Sequence, residues 1–155
     1  MRVASRLANI SESATLAISA KAKTMKSQGI DVINFGVGEP DFDTPPAIKN
    51  ACKAALDAGK TKYTPAAGIP ELKTAVCGWT KRLHGVEFAP KQCIITCGGK
   101  HALANAFLAV VEPGDKVLIP APYWVSYPEQ AKLAGGVPVE LKTRLADGFR
   151  IRPDE

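Results

Sequence analysis

An α/β fold, with a mostly parallel sheet and flanking helices, follows from three features of the 155-residue sequence. Short β-branched runs alternate with segments of helical spacing. Glycine or proline marks nearly every change between them, and the connections between successive runs are long enough to hold helices. From Ala14 to Gln28, Leu16, Ala17, Ala20 and Met25 with intervening lysines form a modest amphipathic helix, closed by Gly29 where a left-handed residue is common. Val32-Ile33-Asn34-Phe35 reads as a short strand. It runs into Gly36-Val37-Gly38-Glu39-Pro40-Asp41-Phe42-Asp43-Thr44-Pro45-Pro46, too long and too rich in Gly and Pro for a simple turn. Thr44 suits the cap of the next helix and Pro45 its first turn; Ile48, Ala51, Cys52, Ala55 and Leu56 share one face, and Gly59 ends it.

Lys60 to Gly68 is again loop. Pro70 opens a helix in which Leu72, Val76, Trp79 and Leu83 recur at spacings of four and three, finishing at His84-Gly85. Ile94-Ile95-Thr96 reads as a second strand, Gly98-Gly99 as a tight turn, and Ala102 to Leu108 as the body of a helix that ends near Val111. The run 116–120 is a strand, followed by the loop Ala121-Pro122-Tyr123-Trp124-Val125-Ser126-Tyr127-Pro128 and a helix from Glu129 to Ala134 that stops at Gly135-Gly136. The run 137–141 is the last strand, and a polar tail continues to Glu155. The chain shows no internal repeat, low-complexity tract or linker.

Composition narrows the function classes. A 46% hydrophobic and 23% charged content is that of a globular protein with a core, so disorder is excluded. The net charge of +5 is spread among acidic residues, with no basic stripe carrying interleaved aromatics, which argues against a nucleic-acid partner. The longest wholly apolar tract, Ala106 to Val111, is too short to cross a bilayer, and no signal-peptide core opens the chain. The first 27 residues, rich in Ser and basic side chains with Glu12 the one acid, have a faint transit-peptide character that a helix of a folded protein explains equally well. A cytoplasmic location is expected. Cys52, Cys77, Cys93 and Cys97 stand in apolar surroundings, so reduced, buried thiols are expected. A zinc site from Cys93, Cys97, His84 and His101 lacks Cys-x-x-Cys spacing, and no metal is expected.

The chemistry concentrates at Gly98-Gly99. Two residues without Cβ let the backbone bend and bring N–H groups close to a bound group, and the helix start adds unpaired donors and partial positive charge. Such a place suits anions, phosphates above all. The same pair also closes an ordinary turn, and the stretch alone does not separate the two. In parallel α/β folds ligands gather at the carboxyl ends of strands, where both Gly98-Gly99 and Tyr123-Trp124 are expected, so the two could face one ligand.

Four sets of residues, in this order, resemble the class I (fold-type I) pyridoxal-phosphate-dependent aminotransferases, particularly the bacterial-type aspartate aminotransferases. They are Gly38-Glu39-Pro40-Asp41-Phe42-Asp43-Thr44-Pro45; Lys62-Tyr63-Thr64-Pro65 with Gly68-Ile69-Pro70-Glu71-Leu72; Gly98-Gly99-Lys100; and Pro122-Tyr123-Trp124-Val125-Ser126-Tyr127. The resemblance covers essentially the whole chain. It implies the N-terminal part of a fold-type I transferase, with residues 1–45 associated with the small domain and the active-site entrance, and residues 46–155 forming the first part of the large cofactor-binding domain. It implies that backbone N–H groups at Gly99, Lys100 and His101 hold the phosphate of pyridoxal 5'-phosphate, that Trp124 stacks on the pyridine ring, and that Tyr63 reaches the phosphate of a partner's cofactor in a homodimer. Gly38 would let the main chain approach the substrate α-carboxylate, and Lys100 and Thr15 would meet the distal carboxylate of an acidic substrate. His101 is given no catalytic role. The alternative readings are a packing aromatic for Trp124, a plain turn glycine for Gly38, a core or rim tyrosine for Tyr63, an exposed lysine for Lys100 and a helix-start threonine for Thr15.

The implied reaction passes an amino group from an amino acid, aspartate or another acidic one, to a 2-oxo acid such as 2-oxoglutarate. A lysine Schiff base serves as anchor and proton shuttle. None of the fourteen lysines stands in the family's Ser-x-x-Lys context, so no catalytic residue is assigned in this chain. The family's Asn-Pro loop, the carboxylate that meets the pyridine nitrogen and the arginine that clamps the substrate carboxylate are absent as well. The sheet is expected to be incomplete, because the family inserts later strands between the first strand here and the next two. Close relatives acting on prephenate, aromatic or other amino acids share these loops. The alternative reading is a non-catalytic homologue that binds cofactor or pairs with a full-length aminotransferase.

Overall fold

The computed structural model describes residues 3–152; the end of the expected polar tail, 153–155, lies outside the described residues. In chain order the helices are α1 (Ala14–Ser27), α2 (Pro46–Asp57), α3 (Pro70–His84), α4 (Gly99–Val110) and α5 (Ser126–Leu133), and the strands are β1 (Lys116–Pro120) and β2 (Val137–Leu141). The chain divides into two compact units, one running to Gly38 and resuming at Gly98, the other Glu39–Cys97.

The first unit is built on β1 and β2, which pair in parallel from Lys116 opposite Val137 to Pro120 opposite Leu141. A parallel pair needs a crossover, and α5 supplies it, packing against both strands and against α4. Ala131 of α5 is 0% exposed and Ile119 of β1 is 5% exposed. Gly136 is held to glycine by the same packing: a Cβ there would sit 2.8 Å from Val111 Cγ1 and 3.1 Å from Val117 Cγ2. Asp115 fixes the start of β1, its carboxylate accepting from the Glu112 N–H at 2.9 Å and its carbonyl accepting from the Val137 N–H at 2.7 Å. α1 begins where Ser13 Oγ accepts the Leu16 N–H, and Gly29 (φ +80°) follows its end.

The second unit holds α2 and α3. Pro70 opens α3 and Gly85, left-handed at φ +69°, closes it, both as the sequence predicts. Gly68 packs tightly on the segment before Cys97: a Cβ there would meet Ile95 Cγ1 at 2.4 Å, and the Ile95 N–H donates to the Ala67 carbonyl at 3.1 Å.

Four expectations change. Val32–Phe35 and Ile94–Thr96 form no strand, because β-branched composition favours a ladder only where a neighbouring strand supplies donors and acceptors. Thr44 is not the cap of α2. Pro45 takes that position with no side-chain bond, and Pro46 is the first helical residue, where its missing N–H costs nothing. α5 begins at Ser126, three residues before Glu129. Of the cysteines, Cys77 is buried, Cys93 intermediate and Cys52 and Cys97 exposed, since α2 has no buried residue for Cys52 to join. Among the described residues no helix is long and apolar enough to cross a membrane, and no three His, Cys, Asp or Glu residues are grouped to hold a metal.

Candidate active site

The first turn of α4 is shaped by Gly98, whose φ of 85° and ψ of 170° turn the chain sharply into the helix. No side chain caps this end, and the first backbone bond to close on it is from the Ala102 N–H to the Gly98 carbonyl at 3.2 Å. Gly99, Lys100 and His101 thus hold the N–H groups of the opening turn, where the helix dipole is positive. A Cβ on Gly98 or Gly99 would meet nothing within 4 Å, so the space before the helix is open to a bound group. His101 presents an exposed side chain on this turn.

Lys100 brings the second element into place. Its Nζ lies 5.6 Å from the centroid of the Trp124 ring, a cation–π distance, and Trp124 is half-exposed. The loop carrying Trp124 is anchored on β2. Ala121 donates its N–H to Leu141 at 2.8 Å, Thr143 Oγ1 donates to the Ala121 carbonyl, and the Tyr123 hydroxyl donates to Glu140 Oε2 at 3.0 Å. That last bond, with slight burial and the charge of Glu140, pushes the Tyr123 pKa up, so the hydroxyl keeps its proton and the tether. Lys100 and Trp124, named from the sequence as separate motifs, are therefore neighbours.

The remaining sequence candidates are placed as follows. Thr15 is half-buried in the first turn of α1, between Ala14 and Leu16. Those two residues line a cavity of about 490 Å³ together with Ser11, Lys100, Glu129 and Gln130. Gly38 is open, with nothing within 4 Å of a Cβ built on it, so another group can approach its backbone. Tyr63 belongs to the second unit and is fully exposed.

Ser11, Glu129 and Gln130 were not singled out by the sequence. Glu129 Oε2 accepts the Ser11 N–H at 2.9 Å and Glu129 Oε1 accepts from Lys132 Nζ at 2.9 Å. Gln130 Nε2 donates to the Lys100 carbonyl at 2.9 Å. Partial burial pushes the Glu129 carboxyl up, but the Ser11 N–H and the Lys132 ammonium outweigh it and hold the group below the usual glutamate range. A carboxyl depressed on folding stabilises the structure above its unfolded pKa, and that contribution is lost as pH falls through the folded value. The Ser11 amide resonance should accordingly stay constant through the ordinary carboxylate range and move only at lower pH. A midpoint at or above that range would show that the bond to Ser11 is not formed.

The family model described as aminotransferase class I and II matches residues 30–155. An aspartate/prephenate aminotransferase of Cereibacter sphaeroides is 50% identical over 149 residues, covering 96% of this chain and 37% of the relative. An aspartate aminotransferase of Geobacillus stearothermophilus is 48% identical over 155 residues, covering 100% of this chain and 39% of the relative. The structure of an aspartate aminotransferase from Thermus thermophilus with maleate superimposes with a TM-score of 0.93 at 47% identity, covering 99% of this chain and 41% of that one. The chain thus spans about two fifths of the length of the proteins it matches.

Proposed function

The chain belongs to the class I and II aminotransferases, and we propose that it supplies the N-terminal part of a pyridoxal-phosphate enzyme that transfers the amino group of an acidic amino acid, aspartate above all, to a 2-oxo acid such as 2-oxoglutarate. The observation that carries this reading is the placement of the Lys100 ammonium over Trp124 beside the glycine-started helix α4. Open space before Gly98 and Gly99, a helix start turned by glycine and a half-exposed indole fit a group with a dianionic tail and a flat ring.

When bound, pyridoxal phosphate supplies the electron sink that lets an amino group leave one carbon and join another. The residues here bind and orient. The N–H groups of Gly99, Lys100 and His101 would hold the phosphate, and the Trp124 indole would cover one face of the ring. Gly38 would admit the substrate α-carboxylate to within reach of the backbone. Residues 1–45 would form the small-domain and entrance segment and residues 46–155 the first part of the cofactor-binding domain. The exposed Tyr63 ring is available to a second copy, which supports a homodimer in which it meets the partner's cofactor phosphate. None of the four cysteines is in a disulfide, which suits a reducing cytoplasm.

Substrate choice turns on Lys100 with Thr15, whose ammonium and hydroxyl would meet the distal carboxylate. Two relatives support the acidic class: one carries aspartate and prephenate in its name, and another was solved with maleate, a dicarboxylate. The test is a chimera in which this chain replaces the matching part of the Geobacillus stearothermophilus relative. The chimera should prefer aspartate to alanine, and Lys100→Ala should lower the ratio of kcat/KM values by about tenfold or more, the weight of a charge-assisted bond to a carboxylate. An unchanged ratio would remove Lys100 from the site.

A further inference from the structure

We propose that Glu129 and Gln130, consecutive residues of α5, are positioning residues that tie the N-terminal segment and the first turn of α4 together around the cavity and so set the preference for a dicarboxylic substrate. The proposal rests on the assignment of Lys100 and Thr15 to the distal carboxylate.

The geometry points to a clamp. Glu129 and Ser11 are 118 residues apart, yet the carboxylate takes the Ser11 N–H at 2.9 Å. Its other oxygen is held by Lys132 from the same helix, so the acceptor facing Ser11 is fixed in direction by α5 itself. Ser11 lies two positions before Ser13, the cap of α1, so holding Ser11 sets where α1 begins and where Thr15 stands. The short helical turn Ser5–Leu7 also packs on α5, which extends the hold back to Ser5.

Gln130 performs the second half. Its Nε2 donates to the carbonyl of Lys100, and only the nitrogen of a carboxamide can make that bond, which fixes the orientation of the group. Its Oε1 is buried and has no partner, so the amide is spent on Lys100 despite an unsatisfied acceptor. Ala131 is the buried residue of α5, whereas Glu129 and Gln130 keep partial exposure. Both line the cavity with Ser11 and Lys100. Two adjacent side chains therefore reach the two segments that carry the proposed specificity residues.

The test uses the chimera and two readouts. The first is backbone hydrogen exchange in a peptide covering residues 7–14, and the second is KM for aspartate set against KM for alanine. Glu129→Ala should speed the exchange and raise KM for aspartate about five- to tenfold, as expected for loss of a partly exposed charge-assisted bond. The alanine KM and both kcat values should stay within about twofold, because the reacting atoms are untouched. Glu129→Gln, which keeps an oxygen for the Ser11 N–H, should restore most of both effects. Gln130→Ala should shift the aspartate KM in the same direction and decides the matter if Glu129→Ala does not fold. Unchanged exchange in Glu129→Ala, or equal changes in the two KM values in either variant, would overturn the proposal. If the unsubstituted chimera shows no preference for aspartate, the reading of Lys100 fails; the exchange result then still reports whether the clamp exists, while its role in selectivity is overturned.

Discussion

The 155-residue chain alone is expected to show no transamination between aspartate and 2-oxoglutarate at any concentration of added pyridoxal phosphate, a rate on the order of 10⁴-fold or more below that of the chimera. The reaction needs a side-chain amine that anchors the cofactor and moves a proton, and none of the fourteen lysines has the Ser-x-x-Lys context that supplies it in the family. Lys100, the lysine beside the proposed phosphate turn, directs its ammonium at the Trp124 ring instead. Packing gives a second reason. Among the described residues the buried apolar side chains are Ala22, Cys77, Ile119 and Ala131, whereas Ile33, Phe35 and Phe42 are 79%, 92% and 85% exposed. With so little apolar area removed from water and both outer edges of the β1–β2 pair open, the isolated chain should aggregate on heating rather than unfold in one cooperative step. Calorimetry with an aspartate–oxoglutarate assay checks both statements. A cooperative transition accompanied by turnover would refute them.

The parts legible in the sequence are those whose causes are local. β1 and β2 match residue for residue because Asp115, Pro120 and Gly136 bound short β-branched runs, and α3 is fixed by Pro70 at one end and Gly85 at the other. Illegible parts depend on what lies beside them. Val32–Phe35 and Ile94–Thr96 have strand composition, but a strand is a property of a pair, and no partner strand lies beside either among the described residues. Pro128 hid the first turn of α5, although a proline there removes only an N–H that the helix start leaves without an intrahelical partner. The same division holds at the site. Gly98-Gly99-Lys100 and Trp124 stand in recognisable motifs, and the structure adds that the Lys100 ammonium lies over the Trp124 ring. The bond from Ser11 to Glu129 joins residues 118 apart and leaves no mark on the spacing of either segment.

Gly98→Ala in the chimera is expected to weaken pyridoxal phosphate binding by about 10- to 100-fold, because the φ of 85° and ψ of 170° at this position belong to a region essentially reserved for glycine and a side chain there costs on the order of 1–3 kcal/mol of strain. Relief of that strain means rotating the backbone that aims the Gly99, Lys100 and His101 amides, so the loss should fall on the phosphate. Unphosphorylated pyridoxal, which has no dianionic tail, should bind the variant and the unsubstituted chimera nearly alike. The neighbouring glycine separates strain from approach. Gly99 is helical, and a Cβ on it meets nothing within 4 Å, so Gly99→Ala leaves the turn in place and favours the helix. Any loss of phosphate affinity in Gly99→Ala therefore reports an anion lying close against the backbone. Titration of the cofactor absorbance for the two variants, beside their thermal midpoints, decides between the readings. Should Gly98→Ala lower the midpoint yet hold pyridoxal phosphate as tightly as before, the α4 amides do not carry the phosphate, and the glycine pair serves only to turn the chain.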